Sequence, residues 1–384
     1  MKYGVCLIGN YPADQQESMI RYANHLEEIL KKNKIPYRRL DPEVNLGTKG
    51  SSLSIEKYLR YVDKYVFFKK TLKYLCLSLR EEGIPWIIHI VDHSNANYVN
   101  GIKGIPVLVT THDVGAIQGA RGELADCQAS FFGKLLQKRI LLGLSKAAQR
   151  VAVSEYTKRS FISLVMEEDK ASLEKNTRVI LNPIRPEMSC VRESELPQKS
   201  EIFGERLVLR YLLNVSSNLR RKNRSVVLKV FSRWRQSKGD KLVFVGEPLS
   251  KELLEEASDL GIREEIIDLG KVSNATLVVL YREAFAFIFP SRFEGFGWPI
   301  IEAQHHGAPV LSARNSSIPE IAGEGAFLCD SEDVGGMVEE LVRLDCASYR
   351  KQRQELGFQN VKRFSAELFE TEYLKLYQEM VSLS

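Results

Sequence analysis

The chain alternates between two patterns of apolar and polar residues. Short, almost wholly apolar runs are typical of buried parallel strands, and longer runs with apolar residues three or four positions apart are typical of amphipathic helices. In the first half, the apolar runs predict strands at 3–9, 86–91, 106–111, 150–153 and 178–181. Helical spacing predicts helices at 18–32, 56–81 and 129–149.

The same alternation restarts after a polar, proline-containing stretch at 182–203. Strands are predicted there at 207–215, 241–246, 266–269, 284–289 and 309–311. Helices are predicted at 224–236, 251–260, 276–283, 299–306, 331–344 and 366–382. Strands that alternate with helices indicate parallel sheets with both faces covered. The predicted fold class is therefore α/β, with two doubly wound Rossmann-like domains that face a cleft.

The polar stretch sets the predicted domain limits. We expect an N-terminal domain at 1–185, a linker at 186–203 and a C-terminal domain at 204–365. Ligands of doubly wound sheets bind at the carboxyl ends of the strands, beside helix N-termini. The cleft between the domains is therefore the expected site.

Composition narrows the class of protein. Of the 384 residues, 44% are hydrophobic and 27% are charged, which is typical of a soluble globular protein. No apolar run approaches the ~18 residues of a membrane-spanning helix. The six cysteines include no CxxC pair, so neither a zinc site nor a disulfide framework is indicated. We expect a cytoplasmic protein.

The net charge of +5 is unevenly distributed. Residues 1–200 carry 30 Lys and Arg against 22 Asp and Glu, and residues 131–150 combine Leu, Ile and Phe with five basic side chains. Two interpretations stay open for the second stretch. It is either a basic amphipathic surface that contacts an anionic membrane, at the inner face of the plasma membrane, or a packed helix with a solvated basic face. No nucleic-acid partner is predicted.

Candidate chemistry concentrates in residues 285–307, which read FAFIFPSRFEGFGWPIIEAQHHG. A buried strand ends at Pro290 and leads through a glycine-bearing loop into a helix that begins near Pro299. The N–H groups and the positive dipole end of a helix N-terminus bind anions. The small Gly295 and Gly297 let a phosphate or a sugar approach the backbone closely.

Two carboxylates, Glu294 and Glu302, bracket this loop with seven residues between them. Carboxylates accept hydrogen bonds from hydroxyl groups, including vicinal pairs. A loop that offers N–H groups to phosphate and carboxylates to hydroxyls fits a nucleotide-sugar pocket. The alternative for Glu302 alone is a glutamate that only complements the helix dipole.

The string EGFGWPIIEA, preceded by FPSRF, resembles the signature of the family 4 (group 1) retaining glycosyltransferases, which have the GT-B architecture of two Rossmann-like domains. In this resemblance Glu294 and Glu302 take the places of the E-x7-E acids. Glu294 is then expected to bind sugar hydroxyls, and Glu302 the ribose hydroxyls. The resemblance implies further donor contacts from Gly295, Phe296, Gly297 and Trp298.

The resemblance continues on both sides of this string. Residues 306–323 are similar to the family downstream, and residues 270–284 look like the segment whose backbone faces the nucleotide base, which implies a donor contact at Val272. The architecture also implies that the terminal helix, within 366–384, crosses back to the N-terminal domain.

A basic turn follows the first strand of the second half, in the sequence NVSSNLRRKNR at 214–224. Cations at a strand-to-helix turn suit a diphosphate, and a solvated basic turn is the alternative. In the family, an Arg and a Lys of this turn hold the donor diphosphate. Lys222 takes the Lys position, whereas Ser217 stands where the Arg is usual. The resemblance leaves open whether Arg221 substitutes for that Arg or Asn218 contributes instead.

The N-terminal half offers candidates at its strand ends. His112 follows the run VLVTT and resembles the family's strand-end histidine near the donor sugar. An imidazole there can donate to a developing charge, and a histidine that caps a local turn is the alternative. His93 resembles an acceptor-side position. The loop at 9–18, which includes Asn10, departs from the family's usual double glycine, although that loop commonly approaches both substrates.

The resemblance as a whole implies a metal-independent, retaining hexosyltransferase with His112, Lys222 and Glu294 as catalytic residues. The donor is a nucleotide diphosphate-sugar of the UDP, GDP or ADP type, and no cofactor is expected. The acceptor is expected to be a saccharide or a lipid-linked molecule in polysaccharide or glycoconjugate synthesis. The chain has no DxD motif, and no GxGxxG follows its first strand, which argues against a metal-clamped donor and against a dinucleotide oxidoreductase.

Two alternatives stay open. The departures at Ser217 and in the first loop would fit a catalytically silent nucleotide-sugar-binding partner subunit. An epimerase of the same fold would act on the free donor without any acceptor.

Overall fold

The computed structural model describes residues 2–46, 54–206 and 208–382. The chain forms two compact units. The first contains the chain up to Ile180 together with the segment from Glu370 onward, and the second runs from Leu181 to Phe369. Throughout the described residues, each helix is too short or too polar to cross a membrane.

Parallel strands form one sheet in the described part of the first unit, in the order β2-β1-β3-β4-β5-β6. The strands are β1 (Gly4–Ile8), β2 (Tyr37–Leu40), β3 (Trp86–Ile90), β4 (Val107–Thr111), β5 (Gln149–Ala152) and β6 (Thr177–Val179). The helices are α1 (Glu17–Lys32), α2 (Ser54–Val62), α3 (Phe68–Glu81), α4 (Gly115–Arg121), α5 (Phe131–Lys146), α6 (Glu155–Ser163) and α7 (Glu167–Lys175). A π-helical segment, Asp63–Phe67, joins α2 to α3, and a 3-10 segment, His93–Gly101, follows β3.

A second parallel sheet forms the centre of the second unit, in the order β12-β11-β10-β7-β8-β9. The strands are β7 (Arg210–Ser216), β8 (Asp240–Gly246), β9 (Ile266–Asp268), β10 (Ala286–Phe289), β11 (Val310–Ala313) and β12 (Ala326–Cys329). The helices are α8 (Pro186–Ser189), α9 (Lys199–Phe203), α10 (Arg224–Trp234), α11 (Lys251–Asp259), α12 (Asn274–Glu283), α13 (Trp298–His305), α14 (Ile318–Ala322), α15 (Val334–Arg343) and α16 (Ala347–Val361). The last helix, α17 (Ala366–Ser382), begins in the second unit and continues in the first.

Both sheets are doubly wound, as the alternating pattern predicts. The strands β1, β3, β4, β10 and β11 are buried along their whole length, because helices cover both faces of a parallel sheet. The connections change direction between β1 and β3 in the first sheet and between β7 and β10 in the second. Such switch points open a crevice at the carboxyl ends of the strands.

Residues 186–203, expected as a linker, form short helical segments of the second unit. Met188 and Phe203 are buried in the core of that unit, where the Phe203 ring lies 5.5 Å from the ring of Tyr211. The division between the two units falls after Ile180. The stretch therefore differs from an open linker because its few apolar residues pack, while its polar residues face solvent.

Helix α17 crosses back to the first unit, as the architecture implies. The Tyr377 hydroxyl lies 2.7 Å from His89 Nδ1, and the Tyr373 hydroxyl lies 3.1 Å from Thr110 Oγ1. The Tyr373 hydroxyl also hydrogen-bonds that of Tyr22 on α1. These buried polar contacts tie the end of the chain to the strands and helices of the first unit.

The buried His89 makes the unfolding free energy depend on pH. Both ring nitrogens are hydrogen-bonded, and burial lowers the pKa of His89 to about 3. The unfolded chain takes up a proton near pH 6.5, whereas the folded protein does not until about pH 3. The stabilisation is therefore complete above pH 6.5 and is lost as the pH falls towards 3.

We expect His89 to account for a loss of about 2 kcal/mol of unfolding free energy between pH 7 and pH 5. Urea denaturation at both pH values measures this loss, and the His89→Gln variant should lose correspondingly less. Equal losses in the two proteins would show that His89 does not carry this pH dependence.

Candidate functional site

The loops after β7 and β10 meet at the switch point of the second sheet. The Arg292 backbone N–H donates to the Arg221 carbonyl over 2.7 Å, and the Ser291 hydroxyl oxygen lies 3.0 Å from the same carbonyl oxygen. On the other side, the Ser317 hydroxyl donates to the Glu294 and Phe296 carbonyls over 2.9 and 3.0 Å. The basic turn and the glycine-bearing loop are therefore held side by side.

Lys222, Arg221 and Glu294 come together at this point. Lys222 Nζ lies 2.6 Å from Glu294 Oε1, and Arg221 Nη1 lies 3.1 Å from Oε2. Ser291 Oγ donates to Oε1 over 2.6 Å. Burial acts to raise the pKa of Glu294, but the charges of Lys222 and Arg221 outweigh it and hold that pKa below its usual range. An ionised carboxylate with two cations leaves one net positive charge, which suits a phosphate group.

Asn218 has other partners. Its amide nitrogen donates to the Pro248 carbonyl, and its Oδ1 accepts a hydrogen bond from Arg224 over 2.7 Å. Arg224 is itself buried and also donates to the Ser216 and Glu247 carbonyls. Of the two candidates to replace the Arg that Ser217 lacks, it is Arg221, and not Asn218, that lies against Glu294.

The loop residues Gly295, Phe296, Gly297 and Trp298 follow Glu294 and lead into α13. The Phe296 ring packs 5.8 Å from the Phe364 ring, and the Trp298 indole N–H donates to the Pro183 carbonyl over 3.0 Å. Gly297 has a φ of 102°, a conformation that favours glycine. The aromatic side chains thus hold the loop in place.

Glu302 is buried in α13 and has two partners within the second unit. Arg185 Nε donates to Glu302 Oε1, and the Tyr281 hydroxyl donates to Oε2 over 3.1 Å. Because Glu302 has these two specific partners, it does more than complement the dipole of helix α13. Hydroxyl groups of a ligand would share this carboxylate with Arg185 or displace it. No sequence motif marks Arg185 or Tyr281, because the fold alone brings both to Glu302.

Val272 lies in the connection from β9 to α12. It is partly buried against the core of the second unit. Gly270 lies in the same connection, and its carbonyl accepts a hydrogen bond over 2.8 Å from the N–H of Gly246, the last residue of β8. Val272 therefore lies beyond the carboxyl end of β9, two strands away from the Lys222 cluster in the sheet order.

In the first unit, Asn10 and His93 meet at the carboxyl ends of β1 and β3. Both contact Asp92: the Asn10 amide donates to Oδ2, and His93 Nδ1 lies 3.2 Å from Oδ1. Burial acts to raise the pKa of Asp92, but the hydrogen bond and the charge of His93 outweigh burial and lower that pKa. Burial acts to lower the pKa of His93, but the hydrogen bond and the charge of Asp92 outweigh burial and raise it. Asp92 was not predicted as a site residue, although a carboxylate next to a histidine at a strand end is a usable signal.

His112 lies beyond β4 and is buried. Its Nε2 donates to the Val91 carbonyl over 2.8 Å, and the Tyr22 ring packs edge-on at 4.8 Å between centroids. Burial lowers the pKa of His112, so the neutral ring presents Nδ1 as an acceptor. The sequence led us to expect an imidazole that donates to developing charge, but the ring N–H is already used by the backbone.

No group of three or more His, Cys, Asp and Glu suited to holding a metal ion occurs among the residues that the structure describes. The candidate residues form two separate sets, one in each unit. Lys222, Arg221 and Glu294 lie in the second unit with Glu302, and Asn10, Asp92, His93 and His112 lie in the first.

The second unit matches a family model over residues 195–356, whose description is "Glycosyl transferases group 1". The matched range begins before α9 and ends within α16, so it contains the whole second sheet and the Lys222 cluster. The second unit is therefore similar to the group 1 glycosyltransferases, over less than half of the chain.

Two curated relatives are similar over parts of the chain. The O-antigen chain mannosyltransferase B of Escherichia coli is 34% identical over 111 residues, which are 29% of this chain and 29% of that protein. The O-antigen chain mannosyltransferase RfbU of Salmonella typhimurium is 26% identical over 232 residues, 59% of this chain and 61% of that protein. The matches thus span less than two thirds of either relative.

Solved structures share the fold along the whole chain. Sucrose-phosphate synthase from Thermosynechococcus elongatus matches with a TM-score of 0.73 at 17% identity and covers 100% of both chains. Anabaena Alr3699/HepE, in complex with UDP and glucose, matches with a TM-score of 0.69 at 14% identity, over 98% of this chain and 99% of that one. These neighbours and the two doubly wound sheets define a GT-B fold.

Proposed function

We propose that this chain, which has a GT-B fold and a second unit similar to the group 1 glycosyltransferases, transfers a hexose from a nucleotide diphosphate-sugar to a saccharide or lipid-linked acceptor. The transfer retains the anomeric configuration, needs no metal ion and serves polysaccharide or glycoconjugate synthesis. The proposal rests chiefly on one observation: Lys222 and Arg221 converge on Glu294 at the switch point of the second sheet.

The second unit supplies groups for the donor. In the proposed reaction the bond between the anomeric carbon and the diphosphate oxygen breaks, and Lys222, Arg221 and the loop backbone stabilise the charge that develops on the leaving diphosphate. The acceptor hydroxyl adds to the same face of the sugar, and its proton passes to the leaving phosphate. Because Glu294 stays ionised, it accepts hydrogen bonds from sugar hydroxyls, while Glu302 binds the ribose.

The first unit supplies groups for the sugar and the acceptor. With Nε2 engaged by the Val91 carbonyl, we assign His112 to accept a hydrogen bond from a sugar hydroxyl through Nδ1. The Asp92–His93 pair and Asn10 are assigned to the acceptor. His93, with its raised pKa, can donate a charge-assisted hydrogen bond there.

Mannose is the hexose we would test first. Both curated relatives described above are O-antigen mannosyltransferases, and a "Serotype-specific mannosyltransferase WbdA" of Escherichia coli is 33% identical over 102 residues. GDP-mannose is therefore the first donor candidate, with UDP- and ADP-sugars as its competitors.

Calorimetric titration and slow donor hydrolysis, both in the presence of EDTA, test the proposal. We expect saturable binding of one donor type, and weaker binding of that donor in Glu302→Gln because a neutral amide accepts less strongly from the ribose hydroxyls. Binding that needs an added divalent metal would contradict metal independence.

The same titrations separate the alternatives. A donor that binds but is neither hydrolysed nor transferred would indicate a catalytically silent subunit. Conversion of the free donor to an epimer would indicate an epimerase. Failure of all donors to bind would overturn the proposed donor site.

A further inference from the structure

Helix α5 leaves large apolar side chains in solvent. Phe131 and Phe132 are 79% and 66% exposed, and Leu135 and Leu142 are 46% and 49% exposed. The helix is nevertheless well formed, since Ser130 caps its start and Ile140 and Leu144 bury its opposite face. A cluster of exposed aromatic and aliphatic side chains on an ordered helix indicates a contact surface.

The exposed face of α5 has an ordered charge pattern. At about 100° per residue, Phe131, Leu135 and Leu142 fall along the middle of that face. Basic side chains flank this apolar stripe: Lys134 and Lys138 on one side, Arg139 and Lys146 on the other. Long basic side chains beside an apolar stripe can extend to lipid headgroups while the stripe enters the acyl boundary.

The basic side chains of α5 are not neutralised locally. The sequence from 127 to 154 contains no Asp or Glu. Among the ion pairs of the described residues, none involves Lys134, Lys138 or Arg139, and Lys146 contacts the neutral Asn100 over 3.2 Å. A merely solvated basic face would not need exposed phenylalanines along its centre.

Helix α3 and the π-helical segment before it repeat this composition. They expose Val66, Phe67, Tyr74 and Leu77, and the sequence from 64 to 80 contains five Lys or Arg and no Asp or Glu. Helices α3 and α5 contribute to the same core cluster on one face of the first sheet, and both pack against His93–Gly101. Their outward faces therefore belong to one layer of the first unit.

We propose that the outward faces of α3 and α5, the α3–α5 surface, dock the first unit on an anionic lipid bilayer. Charge complementarity selects the occupant, because the acid-free α5 and the α3 helix, whose single acid is its last residue, Glu81, would meet headgroups of opposite charge. α5 has 16 residues, about 24 Å of helix, and lies flat on the interface with its inner face kept in the protein core. The inference goes beyond the proposed chemistry and does not depend on the donor or on activity.

Vesicle sedimentation with the full chain tests this surface. The probes are vesicles of phosphatidylcholine alone and vesicles of equal parts phosphatidylglycerol and phosphatidylcholine. We expect binding to the anionic vesicles that weakens at raised salt, with little binding to the neutral ones. The Lys134→Glu/Lys138→Glu variant should bind anionic vesicles at least about tenfold more weakly.

Two matched controls keep the test specific. Lys251→Glu/Lys351→Glu changes the net charge equally on exposed helices of the second unit, where the two side chains are 86% and 77% exposed, and should bind as the unaltered chain does. Leu135→Gln/Leu142→Gln should weaken binding, whereas Val342→Gln/Leu368→Gln, which changes side chains that are each 54% exposed, should not.

Three outcomes would overturn the proposal: no binding to anionic vesicles, equal binding to both kinds of vesicle, or equal losses in the test and control variants. Circular dichroism checks that each variant is folded. We expect all of them to fold, because the substituted side chains lie on the surface. A different result would also make the lipid assignment wrong. If the unaltered chain bound no vesicles but bound a second protein, and the α5 variants lost that binding, the surface would be a protein interface.

Discussion

Replacing Lys222 with alanine is expected to lower kcat on the order of 100- to 1000-fold, the range seen when one preorganised charge-stabilising group is removed. The donor Kd should change far less. Lys222 is paired with Glu294 before any ligand binds, so part of its binding energy is offset in the ground state. Its ammonium group gains most when the leaving diphosphate acquires charge. Single-turnover kinetics together with calorimetric donor titration would measure both quantities.

Two variants of the same turn serve as controls for Lys222→Ala. Arg220→Ala removes a cation from an exposed neighbouring position and should leave kcat within a few-fold of the original. Lys222→Arg keeps the charge and should recover part of the lost turnover. Unchanged turnover in Lys222→Ala would refute its catalytic role, and unchanged turnover with weakened donor affinity would show that it only binds the donor.

Most of the fold could be predicted from the sequence because parallel strands are buried on both faces. Runs such as 106–111 and 284–289 are almost wholly apolar and are flanked by helical spacing, and they correspond to β4 and β10. Their apolar character follows directly from their central positions in the sheets.

One edge strand of each sheet was not predicted, whereas the opposite edge strands, β6 and β9, were. The strands β2 and β12, neither of which was predicted, lie at the edges and are partly exposed. The sequence of β2 is YRRL, so half of its residues are arginines. The sequence of β2 therefore resembles that of a loop, whereas β12, with the sequence AFLC, is apolar and escaped prediction because it is only four residues long.

Local motifs and long-range contacts differ in how well the sequence predicts them. The motif placed Glu294 on a loop and Lys222 in a turn 72 residues earlier, and the fold brings the two into contact, which the sequence did not predict. The partners of Glu302 could not be predicted either. Arg185 lies 117 residues before it, in a stretch with no motif of its own, and only the packing of that stretch on α13 brings them together.

The Arg185→Ala variant is expected to lose about 3–5 kcal/mol of unfolding free energy, the typical cost of breaking a buried ion pair. The Arg185 and Glu302 side chains are 14% and 3% exposed, so water cannot easily replace the lost guanidinium. In this variant the Glu302 carboxylate would keep the hydrogen bond from the Tyr281 hydroxyl but would lose its ion pair. Chemical denaturation at neutral pH measures the loss.

Arg192→Ala is the matched control for this prediction. Arg192 also pairs with a glutamate, Glu195, but its side chain is 80% exposed. Exposed ion pairs contribute at most about 1 kcal/mol, so this variant should remain close to the unaltered chain. A similar loss in both arginine variants would mean that burial does not determine the effect.

The double variant Arg185→Met/Glu302→Gln identifies the physical cause of the loss. It removes both charges, leaves an amide that can still accept from Tyr281, and keeps an apolar chain along the path of the aliphatic stem of Arg185. If the cost of Arg185→Ala comes from an uncompensated buried carboxylate, the double variant should be more stable than Arg185→Ala, because the two changes are coupled. A double variant that is no more stable would instead indicate that the lost packing of Arg185 against Met188, whose sulfur lies 2.8 Å from Nη2, accounts for the destabilisation.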